Sequence, residues 1–227
     1  MKIIFRALLA PALLLTAGAA TAQTSKSDPV DVQSRLGAAL KWNLPRRWEA
    51  SLEYQARFVD NASVYRGSYI SAEGGYSFSK HLKALANYRL ALTTKDHSNR
   101  YGLGLEVSEK WGKWSLAFRP MAQYLTRYAD DEETSRETNL FVRTRLQAKY
   151  ALLKKLDLYA SLEPYFVFDG AYPIDNWRNT LGLKYEYAQN KKIDLYYIYR
   201  PDYAKSYNWT FHVVGMNFDF SLKAKKK

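Results

Sequence analysis

The chain has 227 residues, 34 Lys+Arg against 22 Asp+Glu for a net charge of +12, 15% aromatics and no cysteine. That length fits one domain, or two at most. The missing cysteine excludes a disulfide scaffold, a thiolate metal site, a cysteine nucleophile and a lipid-modified N-terminal cysteine, and the aromatic content is too high for a disordered chain.

Residues 1–22 read as a cleaved signal peptide. Lys2 and Arg6 form a charged start, an apolar stretch runs from Ala7 to about Ala19, and Ala20-Thr21-Ala22 has the small-x-small form of a cleavage site. The apolar stretch is too short for a membrane helix. The implied protein is exported by a Gram-negative cell, which argues against nucleic acid as a partner despite the basic charge. Residues 23–31 form an N-terminal segment, expected as a short strand or a segment running through a lumen. Pro29 disfavours a regular central strand there.

From residue 32 onward the dominant period is two. In Trp48–Phe58, the even positions Trp48, Ala50, Leu52, Tyr54, Ala56 and Phe58 alternate with Glu49, Ser51, Glu53, Gln55 and Arg57. Such alternation belongs to a strand with two different surroundings. Eleven segments read this way: 32–42, 48–58, 68–78, 82–92, 101–107, 114–124, 140–150, 156–168, 177–187, 193–201 and 210–222. Most are long enough to cross a bilayer as tilted strands.

The placement of charge decides what the two faces meet. Of 65 positions on the apolar phase, none is Asp, Glu, Lys or Arg; of 54 on the other, 21 are charged, 12 basic and 9 acidic. A soluble barrel or sandwich has to keep charge out of its inner phase. Here the charged phase must face a lumen and the apolar phase lipid. Backbone groups in lipid must all be paired, so the sheet has to close. The expected fold is all-β: a closed, antiparallel, up-and-down transmembrane barrel of 10–12 strands over residues 32–222, with 12 favoured because bacterial barrels normally have an even count. Trp42, Trp48, Trp114, Trp177, Tyr76, Tyr150, Tyr187 and Tyr199 fall near strand ends on the apolar phase, where interfacial girdles form.

The connections fall into two sets. Pro45-Arg46-Arg47, Ser79-Lys80-His81, Lys110–Lys113, Leu153-Lys154-Lys155 and Gln189–Lys192 are short and basic. The segments 59–67, 93–99, 127–139 and 169–176 read as longer loops. Short turns are expected at the periplasmic side, where basic residues would meet anionic headgroups. The last strand holds Gly215-Met216-Asn217-Phe218-Asp219-Phe220. Its Gly215, Phe218 and Phe220 resemble the C-terminal signal read by the bacterial barrel-assembly machinery. Residues 223–227 read as a basic tail.

Several stretches together resemble a family of outer-membrane β-barrel proteins catalogued as domain of unknown function 2490. They are Leu40-Lys41-Trp42, Trp48–Tyr54, Asn176–Tyr185, Lys192–Arg200 and the terminal strand. The resemblance spans nearly the whole chain after residue 22. It implies an outer-membrane barrel and carries no catalytic or binding residue over.

The inward charges suggest a positive wall made of Arg119, Arg143, Arg145, Lys149 and Arg178. Rings of Arg and Lys favour anions, so one expectation is a narrow, anion-preferring pore for small anionic solutes. The other is a closed structural or interaction barrel, plugged by pairs between these cations and the inward acids, that acts through its loops. Catalysis is not expected. His81, His97 and His212 are scattered, and Asp96-His97-Ser98 are adjacent residues that point apart on an extended chain. No metal or other cofactor is expected. The expected partners are outer-membrane lipids and the assembly machinery.

Overall fold

The computed structural model describes residues 29–129, 136–168, 174–202 and 209–223. The expected signal peptide, residues 23–28 and residues 224–227 of the basic tail lie outside them, as does the acidic run Asp130–Glu133.

Eleven strands make up the described chain: β1 (Val30–Asn43), β2 (Trp48–Val59), β3 (Val64–Ser77), β4 (Leu82–Thr93), β5 (Asp96–Trp111), β6 (Trp114–Ala129), β7 (Arg136–Leu153), β8 (Leu156–Val167), β9 (Ile174–Ala188), β10 (Lys191–Asp202) and β11 (Trp209–Lys223). Each contains or overlaps one of the segments picked out by alternation. They form one closed barrel in which sequence neighbours pair antiparallel and β1 closes against β11. The apolar phase lies outside: Leu103, Val214 and Leu181 are 69%, 57% and 55% exposed. A continuous apolar belt over a closed sheet is the lipid-facing surface of a membrane barrel.

Two expectations are corrected. The strand count is eleven rather than the favoured twelve, and the closing pair β1·β11 is parallel, in register from Val30↔Thr210 to Asn43↔Lys223. An odd number of alternating strands leaves the first and last running the same way, so closure requires a parallel seam. The expected extra strand is therefore not needed to close the sheet; Val30 and Asp31 are the first residues of β1 itself. Lys223, expected in the tail, ends β11.

The second correction concerns the loops. Segment 59–67 is strand except for 60–63, where Asp60, Asn61 and Ala62 adopt positive φ (53°, 54° and 61°). The Asn61 N–H donates to Asp31 Oδ1 (3.0 Å) and the Ala62 N–H to the Val32 carbonyl (2.8 Å), which pins this turn to the start of β1. Segment 93–99 shrinks to Thr94-Lys95. There Thr93 Oγ1 accepts the Asp96 N–H (3.1 Å) and donates to the Asp96 carboxylate (2.7 Å), closing the turn with its own side chain.

On the lumen side, glycine and tyrosine alternate across β8–β11. Tyr159 faces Gly182, Gly182 faces Tyr196, and Tyr196 faces Gly215. Each ring lies over a neighbouring glycine, where a Cβ would overlap it. Gly215 thus has a packing role in addition to its place in the expected assembly signal, whose Phe218 and Phe220 sit on the outward phase. Tyr159 is held in place, because its hydroxyl donates to Asp194 (2.9 Å). Gly182→Ala is therefore expected to cost about 1–3 kcal/mol, the usual effect of overpacking. A lower midpoint in the heat-dependent gel-mobility shift would show it; an unchanged midpoint would mean that the Tyr159 ring swings clear.

Candidate functional site

The lumen encloses a cavity of about 410 Å³. Ten of its lining residues are basic: Arg35, Lys41, Arg57, Arg89, Arg100, Arg119, Arg143, Arg145, Arg178 and Lys184. Five are acidic: Glu53, Glu73, Glu163, Asp194 and Asp219. The difference, 10 − 5, leaves a charge of +5 on the wall.

The charges are layered along the barrel axis. Near the short-turn end, lysines meet carboxylates. Lys41 pairs with Asp219 (3.0 Å), Lys83 with Glu49 (2.5 Å) and Glu106 (3.6 Å), Lys149 with Asp157 (3.5 Å), and Lys184 with Asp194 (3.0 Å). In the middle, arginines take over. Arg143 Nη2 donates to Glu163 Oε2 (2.9 Å), with a second contact from Nε to Oε1. Arg145 reaches Glu106 (3.9 Å). Arg119 on β6 pairs with Glu73 on β3, two strands intervening.

The same middle zone holds five arginines with no carboxylate within ion-pair distance among the described residues: Arg35, Arg57, Arg89, Arg100 and Arg178. Two pairs of them face each other directly on adjacent strands, Arg35 opposite Arg57 and Arg89 opposite Arg100. Arg119 and Arg145 also face each other. Like charges placed directly opposite destabilise a sheet. Glu53 shares the cavity and has no cation within ion-pair distance among the described residues.

The expected wall is thus divided. Arg119, Arg143, Arg145 and Arg178 all line the cavity, whereas Lys149 does not and stands near the β7–β8 turn. Three of the four lining members are tied to carboxylates. Only Arg178 is uncommitted: Glu163, opposite it, is taken by Arg143 and by the Tyr165 hydroxyl (2.9 Å). Arg35, Arg57 and Arg89 were legible as inward charges but not as members of the wall. Arg100 escaped because the expected segment began at residue 101, although it shares the inward phase of Gly102, Gly104 and Glu106.

The histidines stand apart from the cavity. His81 meets Glu109 (2.7 Å) at the turn end, His97 stacks on Tyr128 (centroids 4.9 Å apart), and His212 bonds the Tyr197 hydroxyl (2.6 Å) on the outward face. Among the described residues, no group of three or more His, Asp or Glu is placed to hold a metal.

A closed barrel with an apolar belt outside and a charged lumen is porin-like. More narrowly, the chain belongs to DUF2490, a family of proteins of unknown function, whose profile matches residues 33–211. No curated protein matches. Among solved structures the barrel is similar to one described as "NanC porin structure in rhombohedral crystal form", with a TM-score of 0.54 and 13% sequence identity. The match covers 85% of this chain and 99% of that one, and it is a likeness of fold.

Proposed function

We propose that this protein is a narrow, anion-preferring pore of the cell outer membrane. The observation that supports this reading is the set of five lumen arginines without a carboxylate partner among the described residues. They leave a positive field where a solute would pass, and fields of this kind favour anions. The lipid-facing belt and the porin-like fold support the location. Lipids and the assembly machinery are its structural partners in this reading, with small anionic solutes as cargo and no catalytic step.

The first test is conductance of the refolded chain, without its first 22 residues, in a planar bilayer under a salt gradient. Discrete steps with an anion-selective reversal potential are expected. A silent bilayer, with a folded barrel confirmed by heat-dependent mobility, would favour the second reading, a closed barrel acting through its loops. One observation favours that reading: the Arg119–Glu73 pair joins β6 to β3 across the interior.

Orientation is tested separately. With no native cysteine, single-cysteine variants label cleanly. Lys95→Cys, in the β4–β5 turn, is expected to react with an impermeant maleimide on intact cells. Lys80→Cys, in the β3–β4 turn, is expected to react only after the outer membrane is opened. The reverse pattern would invert the barrel.

A further inference from the structure

How the barrel holds each arginine differs, and the difference is informative. Arg143 is held by a carboxylate that grips it at two points and cancels its charge. Among the described residues, the uncommitted arginines are held by neutral groups or by none. Arg57 Nε donates to Gln55 Oε1 (2.7 Å), and its guanidinium lies 3.6 Å from the centroid of the Tyr69 ring. Gln55 is itself steadied by the Tyr196 hydroxyl (3.2 Å). Arg89 Nε donates to Ser71 Oγ (2.7 Å). Arg178 lies over Tyr165 at 4.3 Å. Arg35 is 8% exposed, and its Nε, like those of Arg100 and Arg178, is buried without a hydrogen-bond partner among the described residues.

Glutamine, serine and tyrosine can orient a guanidinium without neutralising it. For Arg57 and Arg89 the inner Nε is occupied, and the paired terminal Nη groups are left as free donors among the described residues. These side chains converge. All five line the same cavity, with Arg35 directly opposite Arg57 and Arg89 directly opposite Arg100. Opposed like charges persist in a sheet only where something offsets their repulsion.

The residue type narrows what that something is. A field alone could come from lysine, yet all four lumen lysines named above are committed to carboxylates near the turn end. The uncommitted group is all arginine. A guanidinium edge presents parallel N–H donors that match two oxygens of a carboxylate, phosphate or sulfate, and a halide cannot use that geometry. Several such edges in one cavity suit an anion with several charged oxygens.

We propose that Arg35, Arg57, Arg89, Arg100 and Arg178 form a binding site for a compact, multiply charged oxyanion, which makes passage through the lumen saturable. This deepens the pore reading and rests on it for the word passage, though binding itself does not require an open channel. Glu53 is the carboxylate in the cavity that competes with the ligand for these arginines.

The test has two arms on the refolded barrel. The first measures binding by calorimetry and by thermal midpoint in a neutral, phosphate-free detergent. Sulfate, inorganic phosphate and citrate are compared with chloride at equal ionic strength. Saturable binding of the oxyanions, with a raised midpoint, is expected; chloride should give neither. Citrate binding more tightly than phosphate would assign the site to carboxylates, and the reverse to inorganic oxyanions. Arg57→Lys with Arg89→Lys keeps the charge and removes the fork, and should weaken binding about tenfold or more. Glu53→Gln should strengthen it several-fold. Lys149→Met, outside the cavity, should leave it within about twofold. Indistinguishable effects of sulfate and chloride, or undiminished affinity in the lysine variant, would overturn the proposal. The second arm adds the same anions to a chloride-carrying bilayer, where the oxyanions should reduce the current saturably. Binding without any current would remove the pore and keep the site. Chloride current indifferent to oxyanions, together with no binding, would keep the pore and remove the site.

Discussion

Reversing two uncommitted arginines, Arg57→Glu with Arg89→Glu, should lower the anion-over-cation permeability ratio about tenfold and leave the barrel more stable. The selectivity change follows from charge. Each reversal alters the cavity by two units, so +5 falls to +1. In a narrow lumen with low-dielectric walls, changes of that size are worth on the order of RT or more at the constriction. The stability change follows from register. Arg35 would face a carboxylate in place of Arg57, and Arg100 one in place of Arg89. Opposite charges directly across a sheet contribute about 0.2–1 kcal/mol each, where like charges cost. Reversal potential and urea midpoint measured on the same preparation check both. A lost selectivity with a raised midpoint would show that these arginines are kept for function at the expense of stability. An unchanged reversal potential would place the selectivity elsewhere.

Most of the architecture was legible because a membrane barrel enforces period two on every strand. The phase assigned to Leu52, Tyr54, Leu103 or Leu181 from alternation is the phase the structure exposes. Lipid on one side and charge on the other leave no room for a slipped register. The parallel seam was not legible. Alternation says which face a residue takes and nothing about which strand closes on which; parity pointed to a twelfth strand, and the chain closes with eleven. The two shortened loops failed for a local reason. Asp60-Asn61 and Thr94-Lys95 carry loop chemistry, but bonds from Asp31, Val32 and Thr93 compress them into turns. Two of those three partners lie about 30 residues away in sequence.

The candidate site was half legible for a related reason. That Arg35, Arg57, Arg89, Arg119, Arg143, Arg145 and Arg178 point inward follows from their phase. Which of them are neutralised depends on partners carried by other strands, distant in sequence. Glu73 and Arg119 are 46 residues apart, and Asp219 receives Lys41 from the far end of the chain. A run such as Arg143–Arg145–Lys149 looks the most positive in sequence, yet it is the part the fold neutralises. The five arginines without a carboxylate among the described residues are spread singly over β1, β2, β4, β5 and β9 and become a group only when the barrel closes.

Glu163 is the test of how the neutralised part is held. It is 6% exposed, takes two contacts from Arg143 and one from the Tyr165 hydroxyl, and stands opposite Arg178. Glu163→Gln keeps the shape and removes the charge. Arg143 then becomes a buried cation without its counter-ion, beside Arg145 and Arg178. Breaking one side of such a pair typically costs about 3–5 kcal/mol, while replacing both sides with neutral groups costs much less. The single variant should therefore unfold at a clearly lower urea concentration, and Glu163→Gln with Arg143→Met should recover most of the loss. The single variant should also be more anion-selective, since the cavity rises from +5 to +6. If Glu163→Gln lowers stability by less than about 0.5 kcal/mol, the range of ordinary surface changes, water in the lumen must be solvating Arg143 directly. That result would weigh against a plugged interior as strongly as a conductance step, because only a wet lumen can screen a guanidinium that has lost its carboxylate.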